Sequence, residues 1–349
     1  MANNFHPNAP RSSVQVKLQL SIRQLDWMRK YGPSYLYEPA VSQNQAGVIM
    51  KTTNTLLLIL LFPGATVYGS EEEISFEHTL NVVYGETEGV GLLMDVFTPL
   101  QSKKAKKGLG IICVTSGAWK SDRGMMEAHQ KFGFFDVLCS QGYVVFAIRP
   151  GSISLFTADQ MLRNLKTGIR YVKAQAAEYS IDPDRLGMVG ASAGGHLALL
   201  AATCPEPDDP NAENPLMRFS TQVQAVGVFC PPTDFLDWNG TKYGLDLMQG
   251  QLIFRDGFTN KSDENIEIAA IAISPVYQVH AGLPPFLLIH GDADSLVPIQ
   301  QSVKFMNAVR DHKGSAELII KQGGDHSWPT VREEIVKLAE WLDTQLPGP

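Results

Sequence analysis

Short apolar runs alternate with helix-like segments along most of this 349-residue chain, and this alternation constrains the fold more than any other feature. It is typical of βαβ units, in which helices connect the strands of a mostly parallel sheet and cover both of its faces. The sequence therefore predicts an α/β fold. The predicted strands are residues 110–114, 143–148, 185–189, 223–230, 286–289 and 316–321, and the predicted helices are residues 125–140, 158–179, 196–202, 299–311 and 331–346.

Three further segments lie outside this alternation. Residues 74–83 and 92–97 have the composition of two opening strands, which we expect to pair antiparallel at the edge of the sheet. Residues 233–274 are mixed, polar and aromatic, and they interrupt the pattern between two predicted strands. We interpret this last segment as a small cap insertion over the sheet edge.

Residues 50–69 have the parts of a secretory signal peptide. The segment has a basic start, an apolar run at residues 56–62, and small residues before a polar sequence. The apolar run is shorter than the ~18 residues that a membrane-spanning helix needs. We therefore expect export to the periplasm or beyond the cell, with residues 1–49 a non-native or disordered extension and residues 70–349 the working domain, which has no membrane span. A buried helix or strand, or part of a membrane anchor, is the alternative for the apolar run.

Composition and spacing argue against several classes of protein. With 29 Lys+Arg, 36 Asp+Glu and a net charge of −7, the chain is not expected to bind nucleic acid. Its 4 cysteines do not make a disulfide framework. Cys113 and Cys230 fall in predicted buried strands and are expected to be free thiols, whereas Cys139 and Cys204 can pair only if the fold brings them together. No His-x-x-x-His or Cys-x-x-Cys spacing occurs, so we expect neither a metal nor a cofactor.

The sequence GASAG at residues 190–194 follows a predicted strand and opens a helix. A sharp turn from strand to helix forces its middle residue, Ser192, into a strained conformation that small flanking residues permit. The serine hydroxyl is then raised above the sheet, where N–H groups at the helix N-terminus point toward it. This context predicts a nucleophilic serine. A glycine-rich turn that serves tight helix packing is the alternative.

A serine hydroxyl attacks well only when a base takes its proton. His326 follows the last predicted strand and should lie at the same sheet edge as Ser192, although a lone loop histidine is more often simply exposed. The base in turn needs a carboxylate that fixes its tautomer. Asp294 follows the penultimate strand and reaches far over the sheet, so we assign this role to it. Asp292 sits closer to the strand end and suits the turn, and Asp325 directly adjoins His326.

Attack on a carbonyl also requires N–H donors where negative charge develops. The N–H of Ala193, directly after the serine, is one candidate. The sequence TSGAW at residues 115–119 follows the third predicted strand, and its Gly117 and Ala118 are small enough for close approach. We predict Gly117, Ala118 and Ala193 as the oxyanion-hole donors, with a plain turn as the alternative for the first two.

Together these residues resemble the serine-esterase branch of the α/β-hydrolase superfamily, and most closely the bacterial hormone-sensitive-lipase-like and acetylxylan/feruloyl esterases. The resemblance covers residues 74–346. The sequences that carry it are GASAGGH at residues 190–196, HGDADSLVP at residues 290–298 and GDH at residues 324–326.

The resemblance implies an α/β-hydrolase fold, a triad of Ser192, Asp294 and His326, and hydrolysis through an acyl-enzyme. The implied substrates are small or carbohydrate-linked esters of acetyl or feruloyl type. The chain departs from the family at residues 115–116, where Thr-Ser replaces His-Gly. Ala191 stands where one branch has Asp, which favours the carbohydrate-esterase-like group.

Two other functions stay open. An exported serine peptidase of the prolyl-oligopeptidase type would use related motifs, but such enzymes carry a β-propeller and no repeats precede residue 74. A hydrolase-like protein that only binds its ligand is the second, although such proteins usually lack a triad member. Trp119, Trp238 and Trp328 are expected to line the substrate pocket or its cap, with core packing as the alternative. The sequence leaves the oligomeric state open.

Overall fold

A single sheet organises the chain. The computed structural model describes residues 76–100, 108–241 and 246–346. The strands are β1 (Phe76–Thr87), β2 (Val90–Pro99), β3 (Gly110–Val114), β4 (Val144–Arg149), β5 (Leu186–Ala191), β6 (Ala225–Phe229), β7 (Phe286–Gly291) and β8 (Ala316–Lys321). They form one 8-stranded sheet in the order β1-β2-β4-β3-β5-β6-β7-β8. β2 runs antiparallel to β1 and β4, and the other pairings are parallel.

The central parallel strands are buried on both faces, which is why their apolar runs are continuous in the sequence. Every residue of β3, β6 and β7 is buried. Successive residues belong to different hydrophobic clusters: Ile112 lies in one, and Ile111 and Cys113 lie in the other. The predicted strands at residues 110–114 and 316–321 have the observed bounds, and the predicted antiparallel pair is confirmed as β1 and β2, with β1 at the sheet edge.

Helices cover both faces of this sheet, as predicted. The α-helices are α1 (Arg123–Phe132), α2 (Phe134–Ser140), α3 (Ala158–Ala174), α4 (Ala176–Tyr179), α5 (Ala193–Thr203), α6 (Asp246–Ile253), α7 (Asp263–Ile273), α8 (Gln300–Asp311) and α9 (Val331–Gln345), and two 3₁₀ helices span Pro215–Arg218 and Pro275–Gln278. One hydrophobic cluster contains residues of α3, α5, α7 and α8, and the other contains residues of α1, α2 and α9.

Two predicted helices are broken in the structure. The prediction of one helix over residues 125–140 is wrong, because Gly133 adopts a φ of 91° between α1 and α2 and ends the first helix with a left-handed residue. The predicted helix over residues 158–179 is interrupted at Gln175, which separates α3 from the single turn of α4. Apolar residues continue on the buried side across both breaks, so spacing alone did not reveal them.

The segment predicted as a cap insertion, residues 233–274, carries α6 and α7 between β6 and β7. Its first residues are tied to α8. The side-chain oxygen of Gln301 accepts the backbone N–H of Thr233 at 2.8 Å and that of Asp234 at 2.7 Å. The Lys304 ammonium lies 2.6 Å from an Asp234 carboxylate oxygen. These contacts hold the start of the insertion against α8.

The predicted extension, residues 1–49, and the predicted signal segment, residues 50–69, lie outside the described residues. Within the ranges given above, no helix combines the length and the apolar character that crossing a bilayer requires. Cys113, Cys139, Cys204 and Cys230 are all free thiols, so Cys139 and Cys204 do not pair.

Candidate functional site

Ser192 is the single residue between β5 and α5, and its backbone has a φ of 53° and a ψ of −121°. A positive φ costs a non-glycine residue about 1–3 kcal/mol, so neighbouring contacts must hold it in place. The Ser192 N–H donates to the carbonyl of Phe229 at 2.7 Å. Gly194 lets α5 approach β3 closely, because a Cβ at this position would overlap the carbonyl oxygen of Val114. The strained turn predicted from the sequence is present, with Ser192 at its centre.

Three side chains that follow three different strands form one series of hydrogen bonds. The Ser192 Oγ lies 2.9 Å from Nε2 of His326, and Nδ1 of His326 lies 2.8 Å from Oδ2 of Asp294. An ionised carboxylate can only accept, so Nδ1 carries the proton and Nε2 offers its lone pair to the serine hydroxyl. The imidazole thus has the tautomer that a general base acting on Ser192 needs.

The carboxylate of Asp294 is buried and accepts hydrogen bonds on both oxygens. Its Oδ1 accepts the backbone N–H groups of Leu296 at 2.9 Å and Val297 at 2.8 Å. Its Oδ2 faces His326 and also lies 3.2 Å from Nε2 of His290. Burial acts to raise the pKa of Asp294, but the hydrogen bonds from His290 and His326 outweigh it and hold this pKa well below its ordinary value. Asp294 is therefore ionised at neutral pH.

The two competing carboxylates have other partners. Oδ1 of Asp292 accepts the N–H of Gly323 at 2.6 Å. Oδ1 of Asp325 accepts from the N–H and the hydroxyl of Ser295, at 2.8 and 2.9 Å. Both carboxylates therefore join the loop after β7 to the loop after β8. Asp294 is the one that contacts the ring of His326.

Two residues behind Asp294 were not predicted to have a role. Nε2 of His290 lies 2.9 Å from the carbonyl of Val297, and its Nδ1 lies 2.7 Å from the hydroxyl of Ser302. Burial and the charge of Asp294 raise the pKa of the Cys230 thiol well above its ordinary value, so the thiol stays protonated and can donate to that carboxylate. The one sequence feature that points to His290 is its position at the start of HGDAD. The sequence indicates only burial for Cys230.

Among the described residues, one group has the residue types and spacing of a metal site. Ligand atoms of Cys230, His290 and Asp294 all lie within 4.8 Å of one another. The same side chains are already engaged in the hydrogen bonds described above. Support of the Asp294 carboxylate therefore accounts for this cluster.

The oxyanion loop, residues 115–119, supplies fewer free donors than predicted. In the part of the chain that the structure describes, the N–H groups of Ala118 and Ala193 have no hydrogen-bond acceptor. The N–H of Gly117 donates instead to the carbonyl of Lys120 at 2.9 Å. In this loop conformation two of the three predicted N–H groups are available to a carbonyl oxygen, and the role of Gly117 as an oxyanion donor stays a prediction.

The same loop contains two consecutive left-handed residues that are not glycine. Ala118 has a φ of 48° and Trp119 has a φ of 54°. The Trp119 carbonyl accepts the N–H of Ile153 at 2.8 Å, and the Ser116 carbonyl accepts the N–H of Gly194 at 3.1 Å. The second of these bonds attaches the oxyanion loop directly to the first turn of α5.

The three tryptophans predicted to line the pocket are all buried. Trp119 and Trp328 belong to the two hydrophobic clusters, one to each. The Trp119 indole N–H donates to Nδ1 of His196 at 3.0 Å, and the Trp328 indole N–H donates to a Glu334 carboxylate at 2.7 Å. Both therefore pack as core residues. Trp238 lies at the base of the insertion, and its place in a pocket stays a prediction.

Comparisons with known proteins found a matching family model and several similar proteins. A family model described as BD-FAE matches residues 94–309, a span that includes Ser192 and Asp294. "Probable carboxylic ester hydrolase LipM" of Mycobacterium tuberculosis is 31% identical over 197 residues, which are 56% of this chain and 44% of that protein. "Esterase LipQ" of the same organism is 26% identical over 235 residues, which are 67% of this chain and 53% of that protein. The chain thus spans about half the length of these curated relatives.

Solved structures are similar over more of the chain. A truncated form of carbohydrate esterase from gut microbiota has a TM-score of 0.64 at 25% identity, and the match covers 78% of this chain and 98% of that chain. An acetyl ester-xyloside bifunctional hydrolase from Caldicellulosiruptor lactoaceticus has a TM-score of 0.62 at 21% identity, covering 76% and 95% of the two chains, and it supports the fold alone. The predicted α/β-hydrolase fold is confirmed, and because the family model matches more than half of its length, the chain belongs to the BD-FAE family.

Proposed function

We propose that this protein is a serine carboxylic-ester hydrolase. The observation that carries the proposal is the series Asp294, His326 and Ser192, whose two hydrogen bonds measure 2.8 and 2.9 Å. The strained backbone of Ser192 and the free N–H groups beside it support the same chemistry. Relatives named as an ester hydrolase and an esterase add independent support.

The first half of the proposed reaction acylates the serine. His326 takes the hydroxyl proton of Ser192 as the serine oxygen attacks the ester carbonyl, and Asp294 stabilises the imidazolium that forms. The N–H groups of Ala118 and Ala193 donate to the oxygen on which negative charge develops. His326 then gives its proton to the departing oxygen, which leaves as an alcohol, and the acyl group stays on Ser192.

The second half returns the enzyme to its starting state. Water takes the place of the alcohol, and His326 removes a proton from it as its oxygen attacks the acyl-enzyme carbonyl. The same N–H groups stabilise the second oxyanion. When the bond to Ser192 breaks, His326 returns its proton to the serine oxygen and the carboxylic acid leaves.

Replacement of the nucleophile tests this proposal. Ser192→Ala should reduce hydrolysis of a short-chain aryl ester by about 10³-fold or more, because the acyl-enzyme can no longer form. A fluorophosphonate probe should label the wild-type protein and not this variant. Ser140→Ala, at the end of α2, is the matched control and should keep both properties. A wild-type rate in Ser192→Ala would refute the proposal.

We further propose small or carbohydrate-linked esters, of acetyl or feruloyl type, as the substrates. A likeness to a structure described as a carbohydrate esterase supports this class. Rates should be compared for aryl esters of increasing acyl length, acetylated xylan, a feruloyl ester and a dipeptide amide. Preference for the amide would favour the serine-peptidase alternative, and a wild-type protein that the fluorophosphonate does not label would favour the binding-protein alternative.

A further inference from the structure

His196 is completely buried one helical turn after Ser192, and both of its ring nitrogens are engaged. Nδ1 lies 3.0 Å from the indole nitrogen of Trp119 in the oxyanion loop. Nε2 lies 2.7 Å from the carbonyl oxygen of Ile273, the last residue of α7 in the insertion. One side chain on the nucleophile helix therefore contacts two other parts of the structure.

The two partners allow only one form of the imidazole. The carbonyl of Ile273 can only accept, so Nε2 of His196 carries a proton. The indole nitrogen of Trp119 can only donate, so Nδ1 must offer a lone pair. Burial lowers the pKa of His196 to about 4, which keeps the ring neutral over the range in which hydrolases commonly work.

The contact to Trp119 bears on the oxyanion hole because Trp119 directly follows Ala118. Both residues are held at positive φ, a conformation that persists only where neighbouring contacts enforce it. The Trp119 side chain is 2% exposed, and its ring meets the ring of His196 edge-on, with centroids 5.7 Å apart. The hydrogen bond to His196 is the polar contact that fixes this side chain, and through it the backbone that carries the Ala118 N–H.

Both ends of the insertion also meet this histidine. The ring of Phe235, near the first end, lies 5.0 Å from the ring of His196, centroid to centroid. The N–H of Phe235 donates to the hydroxyl of Ser274, the last residue of the insertion, at 3.0 Å. The two ends of the insertion therefore contact each other, and both lie beside His196.

We propose that His196 is a positioning residue that holds the oxyanion loop against the nucleophile helix, and that the insertion sets its tautomer through the carbonyl of Ile273. The proposal rests on the ester-hydrolase function proposed above. Its alternative is a core histidine that only fills space. If His196 only fills space, His196 variants of equal stability should have equal kcat.

Two substitutions separate the two hydrogen bonds. In His196→Asn, the amide oxygen occupies the position of Nδ1 and can still accept from Trp119, but the side chain is too short to reach Ile273. In His196→Gln, the amide nitrogen occupies the position of Nε2 and can still donate to Ile273, but it leaves no acceptor for the indole. We expect kcat for an acetyl aryl ester to fall about 10–100-fold in His196→Gln and less than about fivefold in His196→Asn, with little change in KM for either.

Trp119→Phe provides a second test that leaves His196 intact. It should lower kcat about as much as His196→Gln, and the double variant should be no worse than either single variant, because both remove one interaction. Equal kcat values for His196→Gln and His196→Asn, or additive losses in the double variant, would overturn the proposal.

A spectroscopic measurement does not depend on activity. The Trp119 indole N–H resonance in a ¹H–¹⁵N spectrum, assigned by its loss in Trp119→Phe, should keep its downfield position in His196→Asn and move upfield in His196→Gln. An unmoved resonance in His196→Gln contradicts the positioning role. Retention of activity in Ser192→Ala would instead contradict the ester-hydrolase function, so the two failures are distinguishable.

Discussion

Two histidine rings contact the same carboxylate oxygen of Asp294, His326 at 2.8 Å and His290 at 3.2 Å. The other ring nitrogen of each histidine contacts a serine hydroxyl, that of Ser192 for His326 and that of Ser302 for His290. Ser302 is completely buried at the start of α8, whereas Ser192 is half-buried in the strained turn between β5 and α5. The same three residue types therefore give a candidate reaction centre in one series and a structural support in the other.

The charge of Asp294 can be tested without changing its shape. Asp294→Asn should lower kcat for an aryl ester by about 10³–10⁴-fold, because an amide neither stabilises the imidazolium nor enforces the required tautomer of His326. Asp292→Asn is the matched control, since its amide oxygen can still accept the N–H of Gly323. Steady-state kinetics on both variants checks this expectation. Similar losses in the two would contradict the assignment of the triad carboxylate.

The sequence predicted the residues whose roles depend on local context. Ser192, Asp294 and His326 each follow an apolar strand within a short motif, and their positions at one sheet edge followed from the parallel order. His196 and Cys230 could not be found this way, because His196 lies within α5 and Cys230 lies in a predicted buried strand, and there the pattern indicates only burial. The N–H of Gly117 donates to the carbonyl of Lys120, three residues away in the same loop, a contact that the sequence pattern does not reveal.

At the scale of elements, the apolar pattern predicts where a strand or a helix lies better than it predicts where a helix is interrupted. The predicted bounds of β3 match the observed ones because every residue of this strand is buried, so its apolar run ends where the strand ends. The division of one predicted helix at Gly133 depends instead on a single left-handed residue, which does not change the apolar spacing. Locating the break in this helix therefore requires the backbone conformation, which the apolar pattern does not record.

The turn between β5 and α5 depends on close backbone approach at Gly194. In Gly194→Ala, the new Cβ would overlap the Val114 carbonyl and push α5 away from β3. We expect a loss of stability of about 1–3 kcal/mol. We also expect kcat to fall by more than the loss of folded protein would explain, because the hydrogen bond between Ser116 and Gly194 aligns the oxyanion loop. Thermal unfolding and ester kinetics provide the two measurements.

Gly91 offers the control for that substitution. It lies in β2, and nothing stands within 4 Å of a Cβ placed there, so Gly91→Ala should leave both the unfolding temperature and kcat close to wild type. If Gly194→Ala is equally harmless, the close approach of α5 to β3 is not required.

At the scale of the whole molecule, the buried neutral histidine links stability to pH. Burial lowers the pKa of His196 from 6.5 to about 4. Between these values the unfolded chain binds a proton that the folded protein does not, so stability should fall as the pH falls through this window. The shift corresponds to about 3 kcal/mol lost between neutral pH and pH ~4.

Denaturant unfolding at a series of pH values tests this linkage. His196→Gln has no titrating group at this position, so its free energy of unfolding should fall less steeply between pH 6.5 and pH ~4 than that of the wild type. Equal slopes in wild type and His196→Gln would show that His196 contributes nothing to the acid sensitivity.

Residues 50–69 carry a prediction that concerns the fate of the whole chain. If they direct export, the full-length protein expressed in a bacterial host should appear outside the cytoplasm with its N-terminus near residue 70. N-terminal sequencing of the secreted or periplasmic fraction makes this measurement. A mature protein that begins at Ala2 would be inconsistent with export through this segment.

The late position of His326 has a consequence for synthesis. It follows β8, the last strand, and lies 134 positions after Ser192. A nascent chain on the ribosome therefore holds the serine long before it holds the histidine that would activate it. Until β8 and the loop after it have been made, Ser192 has no general base, so a product cut short before β8 should lack the proposed ester-hydrolase activity.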